Sequence, residues 1–242
     1  MRSQKGVTLL ELLIAVSLVA MLSTAMLFAM RTSVLVYQRT AQRMEENRRV
    51  VGIERIVTSQ LGGVMAAVRM CTIEDGPPGR TSFFAGNSGI LRLVSSYSIA
   101  EGARGYPRII EYRVLPSSSG QFRLVATESA YTGPLSTGPY CTDPLPADPE
   151  STALLPAPPN TATFVLADHL AYCRISYHQP YNINLFNESP WMPLWTRPDL
   201  PAAVRLEMRP AELVPGSLPP LDITAPIRVT RDPFTLYQDR LQ

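Results

Sequence analysis

The sequence predicts an α+β protein, with one long N-terminal helix followed by an antiparallel β-rich domain carrying long proline-rich loops. Three observations predict it. Residues 7–30 form an almost uncharged apolar run, and apolar residues then recur at helical spacing to about residue 60. From about residue 71 the apolar period changes to two. The 23 prolines in 242 residues are about double the usual share of roughly 5%, which favours turns and extended connections over a helical bundle.

Val7 to Met30 is 24 residues with a single charge, Glu11. At about 1.5 Å of rise per residue this run crosses a hydrocarbon core of about 30 Å. An ionised side chain deep in such a helix costs roughly 2.5–3.5 kcal/mol on insertion scales, so the glutamate needs a reason. One reading is a cleaved secretory signal, with Arg2 and Lys5 as its basic start and Ser23-Thr24-Ala25 as a small-residue cleavage site. Against it, the apolar run continues through Met26, Leu27, Phe28 and Met30. A second reading is an uncleaved anchor whose glutamate snorkels to the interface. Arg31, Arg39, Arg43, Arg48 and Arg49 follow the run while only Arg2 and Lys5 precede it. A positive-inside count therefore puts the C-terminal side in the cytoplasm, although large C-terminal domains translocate largely regardless of charge.

Beyond Met30, Val34, Tyr37, Ala41 and Met44 share one helical face, which drifts to Val50, Ile53, Val57 and Leu61. Arg39, Arg43, Glu45, Glu46, Arg48 and Arg49 fill the rest as a solvated face. Gly62-Gly63 is a stop, and Val64 to Met70 read as a last turn or a link. A helix from about 7 to 60 is too long for an ordinary globular domain. It suits a spine with residues 7–30 in membrane, residues 31–63 packed on a head, and the head occupying 64–242.

Strands are expected at 90–94, 109–115, 121–127, 164–167, 170–177, 203–208 and 227–229. In the sixth, Val204, Leu206 and Met208 alternate with Arg205 and Glu207, the mark of a half-buried strand. "PSSSGQ" (116–121) reads as a hairpin turn. Residues 134–159 hold eight prolines in 26 residues, which excludes a helix or a central strand and leaves a loop. A second irregular stretch, 187–201, carries Trp191 and Trp195, read as core anchors rather than exposed partner contacts.

Chemistry is sparse. Lys5 is the single lysine, and removing residues 1–6 leaves 20 basic against 20 acidic side chains. A balanced chain without a basic stripe argues against nucleic acid as a partner. The chain has no GxSxG elbow, P-loop, GxGxxG or HExxH motif, and His169 and His178 read as structural. Asp143, Asp148 and Glu150 lack the calcium-loop spacing, and Glu54 and Glu111 lack a catalytic partner. No enzyme activity, cofactor or metal site is expected. Cys173 alternates in step with Ala171, Ile175 and Tyr177 as a buried thiol. In an exported head, Cys71 at the helix exit and Cys141 in the proline-rich loop are better placed to meet as a disulfide.

"KGVTLLELLIAVSLVAML" (5–22) resembles the leader and N-terminal helix of the type IV pilin and pseudopilin family. That motif has a short basic leader ending in glycine, cleavage after it, and glutamate at the fifth mature position. The resemblance makes residues 1–6 the leader, places prepilin peptidase cleavage between Gly6 and Val7, and makes Val7 the N-methylated residue. Val7 stands where phenylalanine is common. Glu11 falls on the fifth position, where it pairs with the Val7 amine of a neighbouring subunit in the filament. "GIERIVTSQL", "LADHLAYCRISYH" and "WMPLWTRPDLPAAVRLEM" are similar to the J-type minor pseudopilin of type II secretion, with W-type minor pilins similar in plan. The implied fold is pilin-like. The implied protein is a single-pass inner-membrane subunit with a periplasmic head, joining a tip complex that starts filament growth and supports export. Its implied partners are I-, K- and H-type minor pseudopilins, the prepilin peptidase/methyltransferase, the inner-membrane assembly platform and, before assembly, membrane lipid. The alternatives are a minor pilin priming a type IV pilus and, from another class, a membrane-anchored periplasmic enzyme.

Overall fold

The computed structural model describes residues 8–71, 79–117, 120–141, 161–180, 191–212, 217–229 and 234. Helix α1 covers Leu9–Gly62 and is followed by an antiparallel sheet. The chain forms two compact units, Met1–Asn47 and Arg48–Gln242.

Within the first unit, residues 9–30 of α1 are apolar on all sides apart from Glu11 and are exposed throughout, with Leu9 83% and Phe28 72% exposed. Its hydroxyl side chains are satisfied inside the helix. Ser17 donates to the Ile14 carbonyl at 2.8 Å, Ser23 to Val19 at 2.8 Å and Thr24 to Met21 at 2.8 Å. Thr32 and Ser33 do the same to Phe28 and Ala29, each at 2.9 Å. Hydroxyls bonded to carbonyls three or four residues back are tolerated where no water is present. The helix is long and apolar enough to cross a membrane, its most apolar window having a mean hydropathy of 2.4.

In the second unit the last turns of α1 bury Ile53, Val57 and Leu61, spaced by four and so on one side. The chain then turns at Gly63, where a Cβ would come within 2.9 Å of the Ser95 and Ser96 hydroxyls. Glycine there lets the helix end press directly on the sheet. Residues 64–70 are not a further helical turn or plain link: they begin strands β1 (Val64–Met65) and β2 (Val68–Cys71).

The remaining strands are β3 (Gly79–Ser82), β4 (Ala85–Gly86), β5 (Ile90–Ser98), β6 (Ala103–Pro116), β7 (Phe122–Ala130), β8 (Ala162–His178), β9 (Trp191–Met192), β10 (Ala203–Pro210) and β11 (Leu221–Pro226). The main sheet has the order β1-β5-β6-β7-β8-β10-β11, with β4 on β5 and β9 on β8. The hairpin at 116–121 forms as read, with Gly120 at φ 71°. Two expectations change. Residues 164–167 and 170–177 are one strand, β8, whose first half pairs with β7 and whose second half pairs with β10. The switch falls at His169, which takes φ 56°, an uncommon left-handed conformation for a non-glycine residue. Residues 227–229 are not a strand; the edge strand is 221–226 instead, and the Ile227 amide ties to the Ala202 carbonyl at 2.9 Å.

Leu91 and Leu93 of β5, Ile110, Tyr112 and Val114 of β6, and Leu124 and Ala126 of β7 join the α1 residues in the main core. The opposite face of these strands is also buried. Ala67, Phe83 and Tyr140 pack there against Val94 and Ile109. Tyr140 ends a 3-10 helix, Pro134–Tyr140, so the proline-rich stretch does contain a short helix. A proline at its start costs no hydrogen bond, because that N–H has no partner in a helix. The rest of that stretch, 142–160, lies outside the described residues.

Candidate functional site

Glu11 lies in the first turn of α1 with its side chain exposed. Thr8 precedes the helix and receives the Glu11 amide, at 3.1 Å on its carbonyl and 3.4 Å on its hydroxyl. A hydroxyl residue three positions before a glutamate is the pattern of a helix start. A carboxylate in the first turn also faces the positive end of the helix dipole. Glu11 is therefore favourably placed within its own helix while carrying the one charge of the apolar run. Gly6 and Val7, the residues of the expected cleavage and methylation, lie outside the described residues.

The second unit holds the cysteines. Cys71, the last residue of β2, is bonded to Cys141, just past the 3-10 helix, with Cα atoms 5.5 Å apart. The Met70 amide also donates to the Thr137 hydroxyl at 3.3 Å. Together these fasten β2 to the 3-10 helix over the second face of the sheet. Beneath this cap lies a buried ionic layer. Glu111, fully buried, accepts from Arg92 and Arg113. Arg92 also donates to the Tyr140 carbonyl at 2.9 Å, and its guanidinium stands 5.9 Å from the Tyr140 ring centre. The free thiol, Cys173, is buried, and burial pushes it from the ordinary 9.0 up to about 12.

Residues weighed for chemistry have structural surroundings. The His169 ring meets the Gln121 side chain at 2.9 Å, and His178 packs edge-on against Trp191 at 4.9 Å. Trp195 is fully buried and donates to the Asp199 carbonyl at 2.8 Å. Trp191 instead sits half-buried on the surface under the Arg205 guanidinium, 3.9 Å from its ring centre. Asp143, Asp148 and Glu150 lie outside the described residues. Among the described residues no cluster of three or more His, Cys, Asp or Glu is arranged to hold a metal.

Residues 1–27 match the prokaryotic N-terminal methylation motif. The match is confined to the N-terminal segment, where it supports a type IV pilin-like N-terminus, and the exposed apolar helix suits a membrane anchor. A comparison with curated proteins finds no match.

Sequence reasoning missed two polar nodes. One is the Arg92–Glu111–Arg113 layer. The other joins the helix end to the sheet: Tyr112 donates to the Gln60 side-chain oxygen, and the Ser95 hydroxyl donates to the Gln60 carbonyl at 2.8 Å. Gln60 breaks an otherwise apolar helix face. That break is the one signal that pointed to this node.

Proposed function

We propose that this chain is a minor pseudopilin of a type II secretion system, held in the inner membrane by α1 with its head in the periplasm. The prepilin peptidase/methyltransferase removes residues 1–6 and methylates Val7. The mature chain then joins I-, K- and H-type minor pseudopilins at the inner-membrane assembly platform. That tip complex starts filament growth and supports export. The observation that carries the reading is the N-terminal methylation motif over residues 1–27, with Glu11 as the one charge in the apolar run 7–30.

The physics of Glu11 supports this reading. A lone carboxylate costs roughly 2.5–3.5 kcal/mol in lipid. Two opposite charges 4 Å apart attract by about 4 kcal/mol at an effective dielectric of about 20. Pairing with the Val7 amine of a neighbour therefore offsets the insertion cost, and it does so only on assembly. Glu11 thus serves as a register pin.

Mass spectrometry of the cellular protein tests the processing, with methylated Val7 expected as the first residue. A chain that still begins at Met1 overturns it. Deleting the gene and scoring secretion and piliation side by side tests the system. Loss of secretion with complementation by the wild type, but not by Glu11→Ala, is the expected result. Loss of piliation alone assigns the chain to a type IV pilus instead.

A further inference from the structure

The most apolar part of α1 is framed by two charges of opposite sign, Glu11 and Arg31, which lie 20 positions apart. At about 1.5 Å per residue they stand about 30 Å apart along the helix, which is the thickness of a bilayer's hydrocarbon core. The 19 residues between them carry no charge, and the helix is unbroken across them. A charge inside hydrocarbon is unfavourable, so few depths of the helix leave both charges outside it.

The surroundings of each residue agree with such a depth. α1 begins at Leu9, with the Glu11 and Leu12 amides bonded to the Thr8 carbonyl at 3.1 and 3.2 Å. The first amides of a helix have no partner within it, and lipid tails offer none. The turn that carries Glu11 therefore belongs among headgroups and water. At the other end, the neighbours of Arg31 one turn away are Leu27, Phe28, Val34 and Leu35, all exposed. In the head, Arg209 pairs with Asp222 at 2.6 Å, but among the described residues no carboxylate pairs with Arg31. An arginine ringed by exposed apolar side chains in a membrane lays its stem along them and sends its guanidinium to the headgroups. The planar guanidinium matches phosphate there.

We infer that Glu11 and Arg31 fix the depth of the unassembled chain in its membrane, with the Arg31 guanidinium held at the phospholipid phosphates of the leaflet nearer the head. Residues 12–30 then fill the hydrocarbon, and Glu11 lies at the headgroups of the opposite leaflet. Raising the helix draws Glu11 into the core, and lowering it draws in Arg31. Under the assembly reading, lifting the chain into a filament is the step that buries Glu11 and so makes its partner necessary. The inference itself rests on α1 crossing a membrane and holds for a secretion subunit and a pilus subunit alike.

The test places single cysteines along α1 of the full chain, spin-labels them and reconstitutes each protein into mixed phosphatidylethanolamine and phosphatidylglycerol vesicles. Cys71 and Cys141 are bonded to each other and Cys173 is buried, so the added thiol takes the label. Power-saturation EPR with oxygen and a nickel chelate gives the depth of each position. The depth profile is expected to centre on Met21, midway between the two charges. In Glu11→Leu the next charge toward the N-terminus is Lys5, and the centre is expected to move toward Leu18. In Arg31→Leu the next charge toward the C-terminus is Arg39, and the centre is expected to move the other way, toward Ala25. Arg31→Lys keeps a cation at the headgroups and is expected to leave the centre at Met21. A wild-type centre more than a helical turn from Met21, a centre unmoved in Arg31→Leu, or one displaced in Arg31→Lys overturns the inference and leaves the anchor standing. Labels open to the nickel chelate at every position overturn the membrane anchor as well.

Discussion

Replacing Cys71 and Cys141 with serine should cost this chain about 4 kcal/mol of stability. The two residues are separated by 70 positions, and closing a loop of that length removes about 4 kcal/mol of entropy from the unfolded chain. The loss should also have a location. The disulfide fastens β2 to the 3-10 helix, which supplies the Tyr140 carbonyl to Arg92 above the buried Glu111. Without it the cap should open before the main core does. Urea unfolding of the full chain in a mild detergent reads the first effect, with buried Trp195 as the fluorescent reporter. At a slope of about 2 kcal/mol per molar urea the midpoint should fall by roughly 2 M. Hydrogen exchange reads the second: amides of β2 and β3 should lose protection in the double variant while those of β10 keep theirs. A midpoint shift under about 0.5 M, or protection lost evenly across the sheet, refutes the reasoning.

Other perturbations probe the buried polar groups. Tyr112→Phe removes the donor to Gln60 inside the core and leaves that oxygen unsatisfied, so stability should drop by about 1–3 kcal/mol in the same urea assay. Glu111→Gln leaves Arg92 and Arg113 without their carboxylate and should cost roughly 3–5 kcal/mol, seen as a lowered urea midpoint. Cys173 should resist N-ethylmaleimide at neutral pH in the native chain and react once urea unfolds it, as counted by intact mass. Its thiol titrates higher folded than unfolded. Its stabilising contribution is therefore complete below the ordinary thiol range and declines as pH rises toward about 12. Urea midpoints of wild type and Cys173→Ala should accordingly converge in pH dependence only below about pH 8.5.

The parts of this protein that could be read from sequence are those whose signal is local. A membrane-length run, the spacing of Ile53, Val57 and Leu61, and the alternation of Val204, Leu206 and Met208 each lie within one element. Burial confirms the second and third sets of side chains. The fold class followed from them. The edge strand 221–226 escaped because Pro219 and Pro220 precede it and Pro226 ends it, and proline is tolerated at a sheet's edge as readily as in a loop. β8 was read as two strands because Asp168 and His169 interrupt its alternation. The interruption marks a real left-handed kink that redirects the strand between partners without ending it.

The buried ionic layer was illegible for a different reason. Arg92, Glu111 and Arg113 alternate with apolar neighbours, as residues on a wetted sheet face do. Two facts from far along the chain reverse that reading. The register of β5 on β6 sets Arg92 directly opposite Glu111, so the charges neutralise one another. The Cys71–Cys141 bond then holds a cap over them from segments 70 residues apart. Alternation reports which face a side chain takes, and the cap alone decides whether that face meets water. Burying these charges without the cap's hydrogen bond to Arg92 would cost several kcal/mol per ion. The cap and the layer therefore depend on each other: destabilising either one should be felt at the other, and the Glu111→Gln chain should lose exchange protection in β2 even with its disulfide intact.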